Sequence, residues 1–203
     1  MIQNHSKKDE IYLANVAKIG NSINNIQYTE NVLSQDEHKQ ILDFVKTRES
    51  WTIQPWDSKV IIFHEMPKEI LNSLNKVFTL AYEKSKNFYD IKINFFEDLS
   101  LNLLKFEKDF YLKQHIDTES SESNHIASVY YINDDYTGGE INFPNYKLKI
   151  KPKPNSLIVF PGNENYLHEV VEITSGDRYS SSLWFQYTGS TFNKKSEWYD
   201  DPI

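Results

Sequence analysis

The sequence predicts an α+β fold that is mainly β. Three observations predict it: two amphipathic helical stripes early in the chain, a succession of short β-type runs from residue 91 onward, and turn-forming residues between those runs. No helical stripe interrupts the later runs, which indicates an antiparallel sandwich or barrel. The expected architecture is a double-stranded β-helix (jelly roll) with the N-terminal helices packed outside it. The chain of 203 residues has no composition shift that would divide it, and so reads as one core-bearing domain over 31–187, with a leader over 1–30 and a tail over 188–203. A hydrophobic fraction of 39%, with 14% aromatic residues, is far from the disordered regime and suits a β-rich body built around Tyr and Phe.

Residues 1–30 are polar, rich in Asn and Lys and weakly patterned, with at most short extended pieces at 11–16 and 23–28. Ser34-Gln35-Asp36-Glu37 has the capping-box spacing, in which two side chains each satisfy a backbone N–H of the other. Ile41, Leu42 and Val45 follow at helical intervals, so a helix is predicted over 35–46. A second begins near Pro67, a residue tolerated in a first turn, with Ile70, Leu71, Leu74, Val77, Phe78 and Ala81 as its apolar stripe. Between them, 49–65 holds Trp51, Pro55 and Trp56, and reads either as a flexible lid over a cleft or as a strand pair with buried tryptophans. The β-type runs then fall at 91–96, 99–106, 110–116, 125–132, 139–143, 146–151, 156–160, 165–173 and 178–187. Asn133-Asp134-Asp135, Gly138-Gly139 and Pro161-Gly162-Asn163 mark turns between them.

Charge and composition exclude several classes of function. A formal net charge of -7 argues against a general nucleic-acid surface, which needs concentrated Lys and Arg. Lys147, Lys149, Lys151 and Lys153 recur at every second position and on a strand would share one face, most simply a solvated one. With no cysteine, disulfides, zinc–thiolate sites and thiol nucleophiles are absent, so any metal must be held by His, Asp or Glu. No signal-peptide core and no run of about 18 apolar residues is present, so the expectation is a cytoplasmic protein with no membrane partner.

His115 and Asp117 stand two apart at the end of the run 110–116, where alternation turns both side chains to one side. Alone, such a pair is common. His168 lies on another β-run among Leu167, Val170 and Val171, where a single His is usually structural. Together the three make two imidazoles and a carboxylate, a facial triad that suits Fe(II) and leaves three adjacent positions open. Arg178 opens the final run, whose alternate positions Ser180, Ser182 and Trp184 share its face. Facing inward, that Arg needs an anionic partner, either a neighbouring Asp or Glu or the carboxylate of a bound ligand. His125 reads as structural or rim, and His5, His38 and His64 as surface residues.

Over residues 99–185 the order of motifs resembles the prolyl 4-hydroxylase-like branch of the Fe(II)/2-oxoglutarate dioxygenases. The resemblance rests on Leu103-Leu104-Lys105-Phe106 with Tyr111, then His115-Ile116-Asp117, Tyr130-Tyr131-Ile132-Asn133, and Gly138-Gly139-Glu140-Ile141-Asn142-Phe143-Pro144. Lys151-Pro152 leading to Leu157-Ile158-Val159-Phe160, His168, Gly176-Asp177-Arg178 and Trp184 complete it. It implies iron ligation by His115, Asp117 and His168, and a salt bridge from Arg178 to the 5-carboxylate of 2-oxoglutarate, with a second hydrogen bond from Tyr131. Ile141 would wall the co-substrate pocket, while Val129 and Trp184 would lie on the substrate side. The implied cofactors are Fe(II), 2-oxoglutarate and O2, with ascorbate as a candidate reductant. The implied reaction hydroxylates a prolyl residue of a peptide or protein and releases succinate and CO2. Phe106 departs from the pattern, since many relatives have Tyr there. Competing readings are a hydroxylase of a free amino acid or other small molecule, and a non-enzymatic, metal-binding cupin-like jelly roll.

Overall fold

The computed structural model describes residues 22–23, 26–54, 58–89, 101–117 and 125–186. Helix α1 (Gln35–Thr47) starts where the capping box places it. The Ser34 hydroxyl accepts from the Glu37 backbone N–H at 3.3 Å, and the Glu37 carboxylate accepts from the Ser34 backbone N–H at 3.2 Å. Its apolar stripe buries Ile41 and Val45. Helix α2 (Lys68–Tyr89) follows Pro67 and buries Ile70, Leu74, Val77, Phe78 and Ala81, the i, i+4, i+7 face expected of an amphipathic helix against a sheet.

The strands are β1 (Ser22–Ile23), β2 (Ile26–Glu30), β3 (Thr52–Ile53), β4 (Lys59–Ile62), β5 (Asn102–Phe106), β6 (Leu112–His115), β7 (His125–Tyr131), β8 (Ile141–Phe143), β9 (Leu148–Ile150), β10 (Ser156–Pro161), β11 (His168–Val170) and β12 (Arg178–Gln186). They form two antiparallel sheets, an eight-stranded one ordered β1-β2-β10-β7-β12-β5-β4-β3 and a four-stranded one ordered β6-β11-β8-β9. This is the mainly β, double-stranded β-helix that the sequence predicts.

Alternation divides the large sheet between two cores. On β7, Ile126 and Tyr130 pack toward the helices while Ala127 and Tyr131 face the four-stranded sheet. On β10, Leu157 and Val159 join the helix side and Ile158 and Phe160 the inner side. Strand β12 continues the division: Tyr179, Leu183 and Phe185 go to the helices, and Arg178, Ser180, Ser182 and Trp184 line the cavity between the sheets. Helix-side burial therefore fixes which residues reach the interior.

The structure decides between the two readings of one segment and differs from the sequence reading in three other features. The segment 49–65 contains the hairpin β3–β4, and β4 pairs with β5 over four residues. The strand-pair reading therefore describes it, with Trp51 packed on Tyr179 at 5.9 Å between ring centres and its indole N–H donating to the Arg48 carbonyl. Residues 55–57 lie outside the described residues, as do 118–124, the run 91–96 and the tail 188–203. The sheet also takes in β2, ahead of residue 31, because β10 offers it a register of four pairs from more than a hundred residues away.

The alternate lysines do not share a strand face. Only Lys149 is on β9, because Lys147 has a left-handed backbone (φ 49°) that breaks the run. Lys151 instead donates to the Tyr136 carbonyl at 3.0 Å, and Lys153 pairs with Glu30 at 3.0 Å. His38, expected at the surface, is half-buried. Its Nδ1 lies 2.8 Å from the Tyr130 hydroxyl, tying α1 to β7, and burial lowers its pKa. His64 is exposed, as expected. No described helix is long and apolar enough to cross a membrane.

Candidate active site

His115 ends β6 and His168 begins β11, and the two are directly paired across that ladder, with ring centres 4.3 Å apart. Asp117, two residues past His115, is held by its backbone N–H donating to the Gly162 carbonyl at 3.0 Å. Its carboxylate oxygens lie 3.6 Å from Nε2 of His168 and 3.9 Å from Nε2 of His115. One ligand atom from each of the three residues falls within 4.8 Å of the others.

Both imidazoles are oriented the same way. Nδ1 of His115 donates to the Lys113 carbonyl at 2.8 Å and Nδ1 of His168 to the Tyr166 carbonyl at 3.0 Å, so each ring presents Nε2 toward Asp117. Phe160 and Phe143 enclose His168, with ring centres at 4.8 and 5.7 Å, and it is 5% exposed. Burial pushes the His168 pKa below the usual value, outweighing the upward pull of Asp117. His168 is therefore a neutral nitrogen donor rather than half of an ion pair, and it points at a carboxylate. Two imidazole nitrogens and one carboxylate oxygen converging in this way are the donor types of a metal-ligand set.

At the other end of the same cavity, Arg178 is only 3% exposed. Its guanidinium carbon sits 5.1 Å from the Phe106 ring centre and 5.0 Å from that of Tyr131. One amino group reaches the Ser180 hydroxyl at a long 3.4 Å, and Nε has no acceptor. No carboxylate among the described residues pairs with it, so the alternative of a structural Arg satisfied by a neighbouring acid has no support there. The Tyr131 hydroxyl is likewise buried without a partner, and burial raises its pKa against the opposing pull of Arg178, keeping it a neutral donor. A buried cation and a buried phenol with unused hydrogen-bond capacity are what a ligand carboxylate would satisfy.

Of the remaining sequence candidates, Ile141, Val129 and Trp184 all line this cavity, Trp184 being the more exposed at 42%. The side chain of His125 lies outside the described residues. Sequence reasoning missed Phe160 and Phe143, which frame His168, and Tyr136, whose buried hydroxyl also lacks a partner. The first two were detectable as inner-face positions of their strands; Tyr136 lies in a turn, where no periodicity points to it.

The fold is a double-stranded β-helix whose interior cavity holds a His/Asp/His cluster and a buried Arg. Residues 101–186, somewhat under half of the chain, match the family model of the 2OG-Fe(II) oxygenase superfamily. The chain is 23% identical over 153 residues to a putative prolyl 4-hydroxylase of Acanthamoeba polyphaga mimivirus, covering 66% of this chain but only 57% of that relative's length. Its fold resembles that of the viral collagen prolyl hydroxylase of Paramecium bursaria Chlorella virus-1, solved with 2-oxoglutarate (TM-score 0.62, 20% identity, 81% of this chain and 97% of that one). A similar likeness holds for a Trichoplax adhaerens prolyl hydroxylase solved with a peptide fragment of the hypoxia-inducible factor oxygen degradation domain (TM-score 0.63, 16% identity, 89% and 90%).

Proposed function

We propose that this chain is an Fe(II)- and 2-oxoglutarate-dependent dioxygenase that hydroxylates a prolyl residue in a peptide or protein and releases succinate and CO2. One observation carries the reading: a single interior cavity has a converging His/Asp/His donor set at one end and a buried guanidinium and phenol without a counter-anion at the other. The donor set fits Fe(II), and the opposite end fits the distal carboxylate of a 2-oxo diacid. Bound iron supplies the redox chemistry that couples decarboxylation of 2-oxoglutarate to oxidation of a C–H bond.

The chain's own residues do the rest. His115, Asp117 and His168 hold the metal, and Asp117 offsets one of its two positive charges. Arg178, with Tyr131 donating beside it, takes the distal carboxylate and thereby fixes the direction in which the co-substrate lies across the cavity. Ile141 walls the co-substrate pocket. Phe160 and Phe143 keep water from His168, so its Nε2 stays available to metal. Val129 and Trp184 line the side from which a substrate enters. The peptide substrate is supported by the prolyl hydroxylases among the chain's likenesses.

The test is anaerobic titration of the Fe(II)-loaded protein with 2-oxoglutarate, watching for a weak visible charge-transfer band, followed by admission of oxygen and a succinate assay. A band that His168→Ala abolishes, with slow succinate release even without substrate, is expected. Iron binding with no band and no succinate would instead favour the metal-binding, non-enzymatic jelly roll.

A further inference from the structure

We infer that Tyr136 is a positioning residue for Arg178, and through it a determinant of how tightly the cavity takes a dicarboxylate; this rests on the reading of Arg178 given above. Tyr136 follows β7 in the turn before Gly138-Gly139. It is 4% exposed, yet its hydroxyl has no hydrogen-bond partner, which is a costly state for a buried phenol. Gly139 explains how it reaches Arg178. A Cβ at Gly139 would lie 2.8 Å from Cε2 of Tyr136 and 3.2 Å from Cδ of Arg178, so the missing side chain leaves the space in which the Tyr ring edge and the Arg stem come together.

The ring is held from its other side as well. The Lys151 ammonium sits 5.5 Å from the Tyr136 ring centre and donates to the Tyr136 carbonyl at 3.0 Å, fixing both backbone and ring. Burial raises the pKa of the Tyr136 hydroxyl while nearby Arg178 lowers it by less, so the phenol beside the guanidinium stays neutral.

The guanidinium has five N–H groups, and its carbon lies 5.1 Å from the Phe106 ring centre and 5.0 Å from that of Tyr131, neither of which offers a carboxylate. A ligand carboxylate can take two N–H groups in parallel. Arg178 Nε and the Tyr136 hydroxyl are both buried without a partner, and Tyr136 is the neighbouring phenol oxygen able to receive the Nε–H once the guanidinium shifts onto the carboxylate. Tyr136 thus sets the angle at which the fork meets the ligand, whereas Tyr131 bonds the ligand itself.

The experiment uses the full chain loaded with Mn(II) in place of iron, and calorimetric titration with two ligands. 2-Oxoglutarate carries the distal carboxylate; oxalate chelates metal but has none. Tyr136→Phe, which removes one oxygen atom, is expected to weaken 2-oxoglutarate binding about tenfold, the scale of one charge-assisted hydrogen bond, and to leave oxalate binding unchanged. Unchanged 2-oxoglutarate affinity would overturn the inference, and so would an equal loss for both ligands, which would mean a general packing role. Arg178→Met in parallel separates the two levels. If it too leaves 2-oxoglutarate binding intact, the reading of the anchor fails; if it weakens binding while Tyr136→Phe does not, only the role of Tyr136 fails.

Discussion

Replacing Arg178 by Met should have opposite effects on ligand binding and on the ligand-free fold. In the bound state, the guanidinium would give two parallel charge-assisted hydrogen bonds to a carboxylate, each contributing about 1.5–3 kcal/mol. Losing even the lower sum raises the dissociation constant of 2-oxoglutarate more than a hundredfold, at tenfold per ~1.4 kcal/mol. Without ligand, the same Arg is buried with one long hydrogen bond of 3.4 Å, an unpartnered Nε, and two ring faces at 5.0 and 5.1 Å. Desolvating an ion costs several kcal/mol. The two ring contacts return about 1–2 kcal/mol each. Met fills comparable space with no charge to desolvate, so the ligand-free variant should melt at the same temperature or higher. Anaerobic calorimetry with Mn(II) gives the first quantity and thermal unfolding of the metal-free protein the second. A melting temperature several degrees lower, with 2-oxoglutarate affinity unchanged, would make Arg178 a structural residue and refute the reasoning.

Three further outcomes are expected. His168→Ala should abolish Fe(II) binding in an equilibrium titration, since it removes the most buried of the three ligands and leaves a pair, while the melting temperature of the metal-free protein changes little by comparison. Gly138→Ala should destabilise the fold by on the order of 3 kcal/mol or more, read as a lowered midpoint in denaturant, because its φ is +79° and an added Cβ would stand 1.8 Å from the Glu172 carbonyl oxygen. His38 has a depressed pKa in the folded protein, so the unfolded chain takes up its proton first; stability should be complete above about pH 6.5 and fall as pH drops below it. His38→Gln, which can still meet the Tyr130 hydroxyl, should flatten that part of the pH dependence, as followed by urea unfolding at several pH values.

Much of the fold was legible because periodicity is a local signal. The capping box at Ser34 and Glu37 placed the start of α1, and the stripe from Ile70 to Ala81 gave α2 its buried face. The joint placement of His115, Asp117 and His168 could be argued from alternation and chain order, but their contact depends on the direct pairing of β6 with β11, which no local pattern encodes. What escaped sequence reasoning is long-range. Residues 26–30 overlap the short extended piece expected at 23–28, but that they join the large sheet depends on their pairing with β10, more than a hundred residues away. His38 was indistinguishable from a surface residue until Tyr130 met it across the helix–sheet layer. Trp51 gave no sign of whether it capped a cleft or packed on Tyr179, and Tyr136 sits in a turn whose residues reach Arg178 only because Gly139 leaves room.

The position of β6 gives the metal a second job. This strand lies at the edge of the four-stranded sheet, is paired there only with β11 among the described residues, and its ladder shifts register between His168 and Val170. His115 and Asp117 belong to this edge and the turn after it, while His168 belongs to its neighbour. A cation bound by all three would therefore act as a clasp that fastens the rim to the body, and its binding free energy would stabilise this edge strand. Without a bound cation, this edge of the four-stranded sheet is expected to open more readily to hydrogen exchange and proteolysis.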